Sequence, residues 1–305
     1  MNLDNKVPQS EIQDHSIYLQ GNRTGVLLIH GLTGTPHEMR NIAKFCHQMG
    51  LTVAVTQLAG HCGTVEDLVN THWEDWYASV CQSADQLKKN TDEIFVVGLS
   101  MGSLLALKYA SEHQVSGVTC YSPTFKFDGW SIPLWSKVLA PIVLPIVSKL
   151  NIFRLNTFEE AEPYGIKNEQ LRVRILEAMK SNDSSKAGLP GNPWHSLYQM
   201  QRLSRNVRKN LNKITAPTLC LHAFNDDIAH RKNSQLIYDQ VSGNKQLIYL
   251  YESYHMITID NDRKQVVEET LKFIQMHHQK AISNIVVQTP ESKHVESVHS
   301  LSQPA

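Results

Sequence analysis

Ser100, Asp226 and His255 are the side chains in this sequence whose types and order can assemble a nucleophile, an orienting carboxylate and a general base. A serine hydroxyl is a weak nucleophile alone. It attacks an acyl carbon when an imidazole takes its proton and a carboxylate fixes the tautomer of that imidazole and stabilises its cation. Ser100 stands in Gly98-Leu99-Ser100-Met101-Gly102, a G-x-S-x-G. Each residue also has a plainer reading. A glycine-flanked serine can simply cap a helix, so can an aspartate after a strand, and His255 is one of 15 histidines. The chain order serine, aspartate, histidine, each expected at the carboxyl end of a strand, favours the chemical reading. Asp227 is the neighbouring alternative for the carboxylate. By spacing from the strand end, Asp226 is expected to point inward, and Asp227 to face out or cap the next helix.

A buried strand must deliver the serine and a helix must follow it at once. Ile94-Phe95-Val96-Val97 supplies the strand, and Ser103 to Ala110 reads as the helix. The helix N-terminus then aims backbone N–H groups at the reacting centre. An oxyanion needs two such donors, expected from Met101, after the nucleophile, and from Leu32. Leu32 lies in His30-Gly31-Leu32-Thr33-Gly34-Thr35-Pro36, a glycine-rich loop directly after the apolar run Gly25 to Ile29. Further strands are expected at 51–55, 115–121, 218–222 and 245–251. Helices are expected over 37–49, 74–89, 232–241 and 263–278. Strands alternating with helices predict βαβ units, hence an α/β fold with a mostly parallel central sheet flanked by helices.

Residues 124–200 break this rhythm, with Trp130, Pro133, Trp135, Pro141 and Pro145, a charged stretch over 167–180 and a Gly/Pro/Ser-rich run over 181–191. We read an inserted helical cap over 124–213, between core segments 1–123 and 214–279, followed by a polar, mobile tail over 280–305. The apolar run 132–150 holds three prolines and two lysines, which suits an amphipathic lid touching lipid or acyl chains better than a spanning helix. His30, Trp130, Trp135 and Ile142 are candidate substrate-pocket residues, together with Val143, Leu144 and Ile146.

Composition narrows the class. The 305 residues are 41% hydrophobic and 19% charged, in the range of a globular protein. Twenty-nine Lys and Arg balance 29 Asp and Glu, so net charge gives no case for nucleic acid or an anionic membrane surface. The histidines form no H-E-x-x-H and the five cysteines no C-x-x-C, so no metal is expected. The odd cysteine count without short spacings argues for a reducing compartment. Met1 to Lys6 lacks a basic region leading into an apolar run, so no signal peptide is expected and the location is read as cytoplasmic.

The motifs resemble those of the α/β-hydrolase superfamily, and more narrowly bacterial carboxylesterases of the monoacylglycerol-lipase-like group. The matching segments are His30 to Pro36, Gly60-His61, Gly98 to Gly102, Asn225-Asp226-Asp227 and Tyr254-His255-Met256-Ile257-Thr258. The resemblance implies the α/β-hydrolase fold, no cofactor, and hydrolysis of small-molecule carboxylic esters with short-to-medium acyl chains or monoacylglycerols. An acyltransferase, thioesterase or peptidase would use the same three residues, and a non-catalytic binding protein could keep the fold. Cys62 stands where these relatives usually carry a glycine.

Overall fold

The computed structural model describes residues 12–278 apart from 151, 160 and 180–183. The expected mobile tail and part of the 181–191 run lie outside the described residues. The first half of the chain runs β1 (Ile17–Leu19), β2 (Thr24–Ile29), α1 (Arg40–Gln48), β3 (Thr52–Thr56), α2 (Val65–Val69), α3 (Trp73–Lys88), β4 (Glu93–Leu99), α4 (Met101–Glu112) and β5 (Gly117–Tyr121). Next come α5 (Leu134–Lys149), β6 (Thr157–Glu159), α6 (Glu169–Met179), α7 (Ser184–Ala187), β7 (Gly191–Pro193) and α8 (Trp194–Arg208). The chain closes with β8 (Thr218–Ala223), α9 (Lys232–Gln240), β9 (Lys245–Leu250) and α10 (Arg263–His277).

Among the described residues seven strands form one sheet in the order β1-β3-β2-β4-β5-β8-β9. Every pairing is parallel except β1 with β3. The inner strands are buried on both faces, which is why they read as unbroken apolar runs rather than alternations. Successive residues of β2 still separate by face. Leu27 and Ile29 pack with Trp76, Leu104 and Met200, whereas Val26 and Leu28 pack with Ile42, Val266 and Phe273. Burying each such side chain contributes roughly 1.5–3 kcal/mol before entropy is set against it. This sheet brings the carboxyl ends of β2, β4, β8 and β9 to one edge, where the chemistry-bearing loops begin.

The interval between β5 and β8 is of two kinds. Helix α8 carries Met200, Leu203 and Val207 at helical spacing, and all three join the core cluster that holds Leu104 and Trp76. The last part of the stretch expected as cap is therefore a layer of the core. Helix α5 runs unbroken through Pro141 and Pro145, and of its large apolar side chains only Leu144 is buried. The short ribbon of β6 with β7, antiparallel, had no legible sequence signal. Among the described residues no helix is long and apolar enough to cross a membrane.

Candidate active site

Strand β4 ends at Leu99 and α4 begins at Met101, so Ser100 alone makes the turn, at φ +55° and ψ −115°. A non-glycine residue is held there only when its surroundings overdetermine it. The flanking glycines allow the crowding: a Cβ on Gly98 would lie 2.1 Å from the Gly102 carbonyl oxygen, and one on Gly102 would lie 2.3 Å from that of Ile29. The Ser100 N–H donates to Tyr121 O at 2.8 Å, which ties the turn to the end of β5. Ser100 Oγ lies 3.1 Å from Thr124 Oγ1, and Thr124 donates to Ser122 O at 3.1 Å. Because the threonine proton is so engaged, the serine is the donor to Thr124.

His255 Nδ1 lies 2.8 Å from Asp226 Oδ2, with the two side chains 6% and 0% exposed. A donated Nδ1–H leaves Nε2 as the basic nitrogen. The other oxygen, Asp226 Oδ1, accepts N–H bonds from Ile228 (2.9 Å) and Ala229 (2.7 Å). His222 Nε2 approaches Asp226 Oδ2 at 3.3 Å and Ala229 O at 2.9 Å. Burial by itself would raise the Asp226 carboxyl, but the charge and hydrogen bonds of His255 and His222 outweigh it and hold the group well below the usual carboxylate range.

Asp227 departs from expectation. It neither faces out nor caps a helix: it is fully buried, and its carboxylate accepts the Gly165 N–H at 2.8 Å and the His255 N–H at 3.3 Å. Burial and the adjacent Asp226 charge push its carboxyl up to about 6. The inward direction assigned to Asp226 from strand spacing leaves room for a second buried carboxylate because the segment between β5 and β8 supplies Gly165, a partner far away in sequence.

The loop after β2 is clamped by His30. Its Nδ1–H donates to Gly31 O at 2.9 Å and its Nε2 accepts the Leu58 N–H at 3.3 Å. The ring must be neutral to do both, and burial, with the neighbouring His61, keeps its pKa well below the usual histidine range. Gly31 approaches Ser100 so closely that a Cβ on it would sit 3.4 Å from the serine Cβ. Leu32 lines the cavity in front of Ser100, and Met101 opens α4.

Two cavities meet at this edge. The first, about 120 Å³, is lined by Leu32, Ser100, Tyr164, Ile175, His255 and Met256 among others. The second, about 260 Å³, lies beneath α5 against α8 and is lined by Phe125, Ala140, Leu144, Phe158 and Met200. Phe127, Asn192 and Ile228 line both. His30, Trp130, Trp135 and Ile142 line neither. His30 is wholly buried behind the loop it clamps. Trp130, Trp135 and Ile142 are 56%, 63% and 63% exposed, because α5 turns Ala140 and Leu144, four residues apart, toward the cavity and leaves its other faces outside. Trp130 instead donates from Nε1 to Asn225 O at 3.0 Å. Of the cap residues named from sequence, Leu144 is the one that reaches a cavity. Phe127, Tyr164, Asn192 and Ile228 were missed: they come from loops and short segments with no period to mark an inward face. Cys62 adopts φ +65°, a conformation that favours glycine, and lines neither cavity.

Comparison with known proteins is consistent with this geometry. Residues 20–262 match the model of the Hydrolase_4 family, described as serine aminopeptidase S33. The thermostable monoacylglycerol lipase of Bacillus sp. (strain H-257) is 29% identical over 266 residues, spanning 85% of this chain and 94% of that protein. The carboxylesterase of Bacillus subtilis (strain 168) is 27% identical over 259 residues, spanning 84% and 94%. A solved chain from work on LipS and LipT, two metagenome-derived lipolytic enzymes, superposes with a TM-score of 0.71 at 25% identity, covering 86% of this chain and 97% of that one. The match runs from before β2 to the loop beyond β9 and takes in Ser100, Asp226 and His255, so the chain belongs to the Hydrolase_4 (S33) family of α/β hydrolases.

Proposed function

We propose that Ser100 is the nucleophile, His255 the general base and acid, and Asp226 the orienting carboxylate of a carboxylic ester hydrolase acting on short-to-medium acyl esters or monoacylglycerols. The observation that carries this is the 2.8 Å bond between His255 and Asp226 behind a cavity that also holds Ser100 at a strained strand-to-helix turn. Ser100 Oγ attacks the ester carbonyl as His255 Nε2 takes its proton. The N–H groups of Leu32 and Met101 hold the oxyanion. His255 then protonates the leaving alcohol, and water cleaves the acyl-enzyme by the same route in reverse.

An acyltransferase or thioesterase would share these steps, and the family description names a peptidase. The two curated relatives by name, a monoacylglycerol lipase and a carboxylesterase, favour the ester. The exposed apolar face of α5, with Leu134, Trp135, Val138 and Ile142, supports contact of the cap with lipid when the ester is presented in a lipid phase. The odd number of cysteines, without short spacings, supports a reducing, cytoplasmic setting.

The test is hydrolysis of p-nitrophenyl esters from acetate to palmitate, with alanine p-nitroanilide alongside and Ser100→Ala as control. Ester cleavage that vanishes with Ser100, and outpaces the anilide, is the expected result. Cleavage of the anilide alone, or ester cleavage that survives Ser100→Ala, would overturn the reading.

A further inference from the structure

The larger cavity is not the one that holds Ser100, and it differs from it in charge. Lys126, Lys137, Arg205 and Arg208 line the 260 Å³ cavity, and none of them lines the catalytic one. Among the described residues the one acidic side chain that lines it, Asp128, already accepts the His230 N–H (2.8 Å) and the Asn233 amide (2.9 Å) on its Oδ1. None of the four cations has an ion pair within the described residues, whereas Arg202, on the same helix, pairs with Glu74 at 2.7 Å. Arg205 and Arg208 stand in the last turn of α8, where basic residues complement the helix dipole. That explanation does not extend to Lys126, which follows β5, or to half-buried Lys137 on α5. Four cations from three segments thus converge on one cavity in a chain whose total charge is zero.

The interior they surround is apolar: Phe125, Leu144, Phe158 and Met200. An apolar chamber with a cationic rim fits an apolar chain that ends in an anion. Phe127, Asn192 and Ile228 form the wall shared with the catalytic cavity, and the Ile228 N–H is one of the donors to Asp226. The two cavities are thus neighbours across three residues, and an acyl chain whose carbonyl sits at Ser100 has the larger one directly behind Phe127, Asn192 and Ile228.

Resting on the esterase reading, we propose that this second cavity receives the far end of the acyl chain and that the preferred substrates are half-esters of dicarboxylic acids, whose free carboxylate meets Lys137, Arg205 and Arg208. The chemistry is unchanged. Ser100 Oγ forms the acyl bond, the alcohol leaves with the proton carried by His255, and water releases a dicarboxylate.

The experiment measures kcat/KM for monomethyl esters of dicarboxylic acids from glutarate to sebacate against methyl esters of monocarboxylic acids of equal chain length. At the best length the charged ester is favoured by about tenfold or more, in line with a hydrogen-bonded charge pair at a partly exposed site. Added salt narrows the ratio, since exposed cations are screened over about 10 Å at 0.1 M ionic strength. Arg205→Ala with Arg208→Ala, two exposed positions, lowers the ratio at least threefold, and adding Lys137→Ala lowers it further. Neutral esters cleaved as well as charged ones at every length, or a ratio unmoved by the triple variant, would overturn this inference while leaving the esterase reading intact. Failure to cleave either series, or any p-nitrophenyl ester, would bring down both.

Discussion

The Ser100 hydroxyl donates to Oγ1 of Thr124 at 3.1 Å, so the proton that the proposed mechanism passes to His255 is held, at rest, by a threonine just past the end of β5. Reaction requires the hydroxyl to turn away from that acceptor. A neutral hydrogen bond of this kind is worth about 0.5–1.5 kcal/mol. Thr124→Val should therefore change kcat/KM on p-nitrophenyl butyrate by less than about tenfold, whereas Ser100→Ala should cost roughly 10⁴-fold or more. A Thr124→Val loss as deep as that of Ser100→Ala would put Thr124 among the reacting groups.

The two adjacent aspartates should separate cleanly. Asp226→Asn presents an amide to His255 Nδ1 and favours the wrong tautomer, for which a loss of about 10³–10⁴-fold in kcat is expected. Asp227→Asn keeps the tautomer but can accept through only one oxygen, leaving the Gly165 or His255 N–H poorly matched. Its cost is about 1–3 kcal/mol of stability, with kcat within about tenfold of the parent. Urea midpoints and kcat for both variants check this; equal losses of kcat would mean that the carboxylate role has been misassigned.

Acid should destabilise the protein through His61. Burial pushes its pKa down to about 4, against 6.5 for a free histidine, and its ring lies 5.0 Å from the equally buried His30. Because the folded form disfavours the imidazolium, stability is full above pH 6.5 and is lost as pH falls from there toward 4, by on the order of 3 kcal/mol for this one group. Asp227 acts with the opposite sign between its ordinary 3.8 and about 6, where the folded state holds the proton more tightly and stability falls as pH rises. Urea midpoints from pH 7.5 to 4.5 should thus drop more steeply with acid in Asp227→Asn than in the parent. A parallel decline in the two proteins would remove Asp227 from the account.

The outer face of α5 should matter only where substrate is aggregated. Trp135→Ser with Ile142→Ser, both exposed and outside either cavity, should lower hydrolysis of monoacylglycerol in vesicles by about tenfold, from the apolar area lost. Hydrolysis of a dissolved acetate ester is the comparison: equal losses on the two substrates would point to misfolding around α5 rather than to lipid contact.

Much of this protein follows from local rules. The parallel sheet was legible because strands buried on both faces must be continuous apolar runs. The residues at its carboxyl edge were legible because Gly98, Ser100 and Gly102 obey steric demands that act over five residues. Asp226 and His255 could be named because each follows such a strand directly. The tertiary structure alone decided the rest. Asp227 became a buried acceptor because Gly165, some sixty residues earlier, comes to lie against it. His30 became a clamp, not a pocket wall, because its partner is the Leu58 N–H of another loop. The apolar face of α5 carries no mark of which side meets the core, since Trp135, Ile142 and Leu144 are alike in hydrophobicity and only packing against α8 selects Leu144. The convergence of Lys126, Lys137, Arg205 and Arg208 on one cavity is likewise invisible in a chain with balanced charge, because charges distant in sequence become neighbours only when the helices that carry them pack.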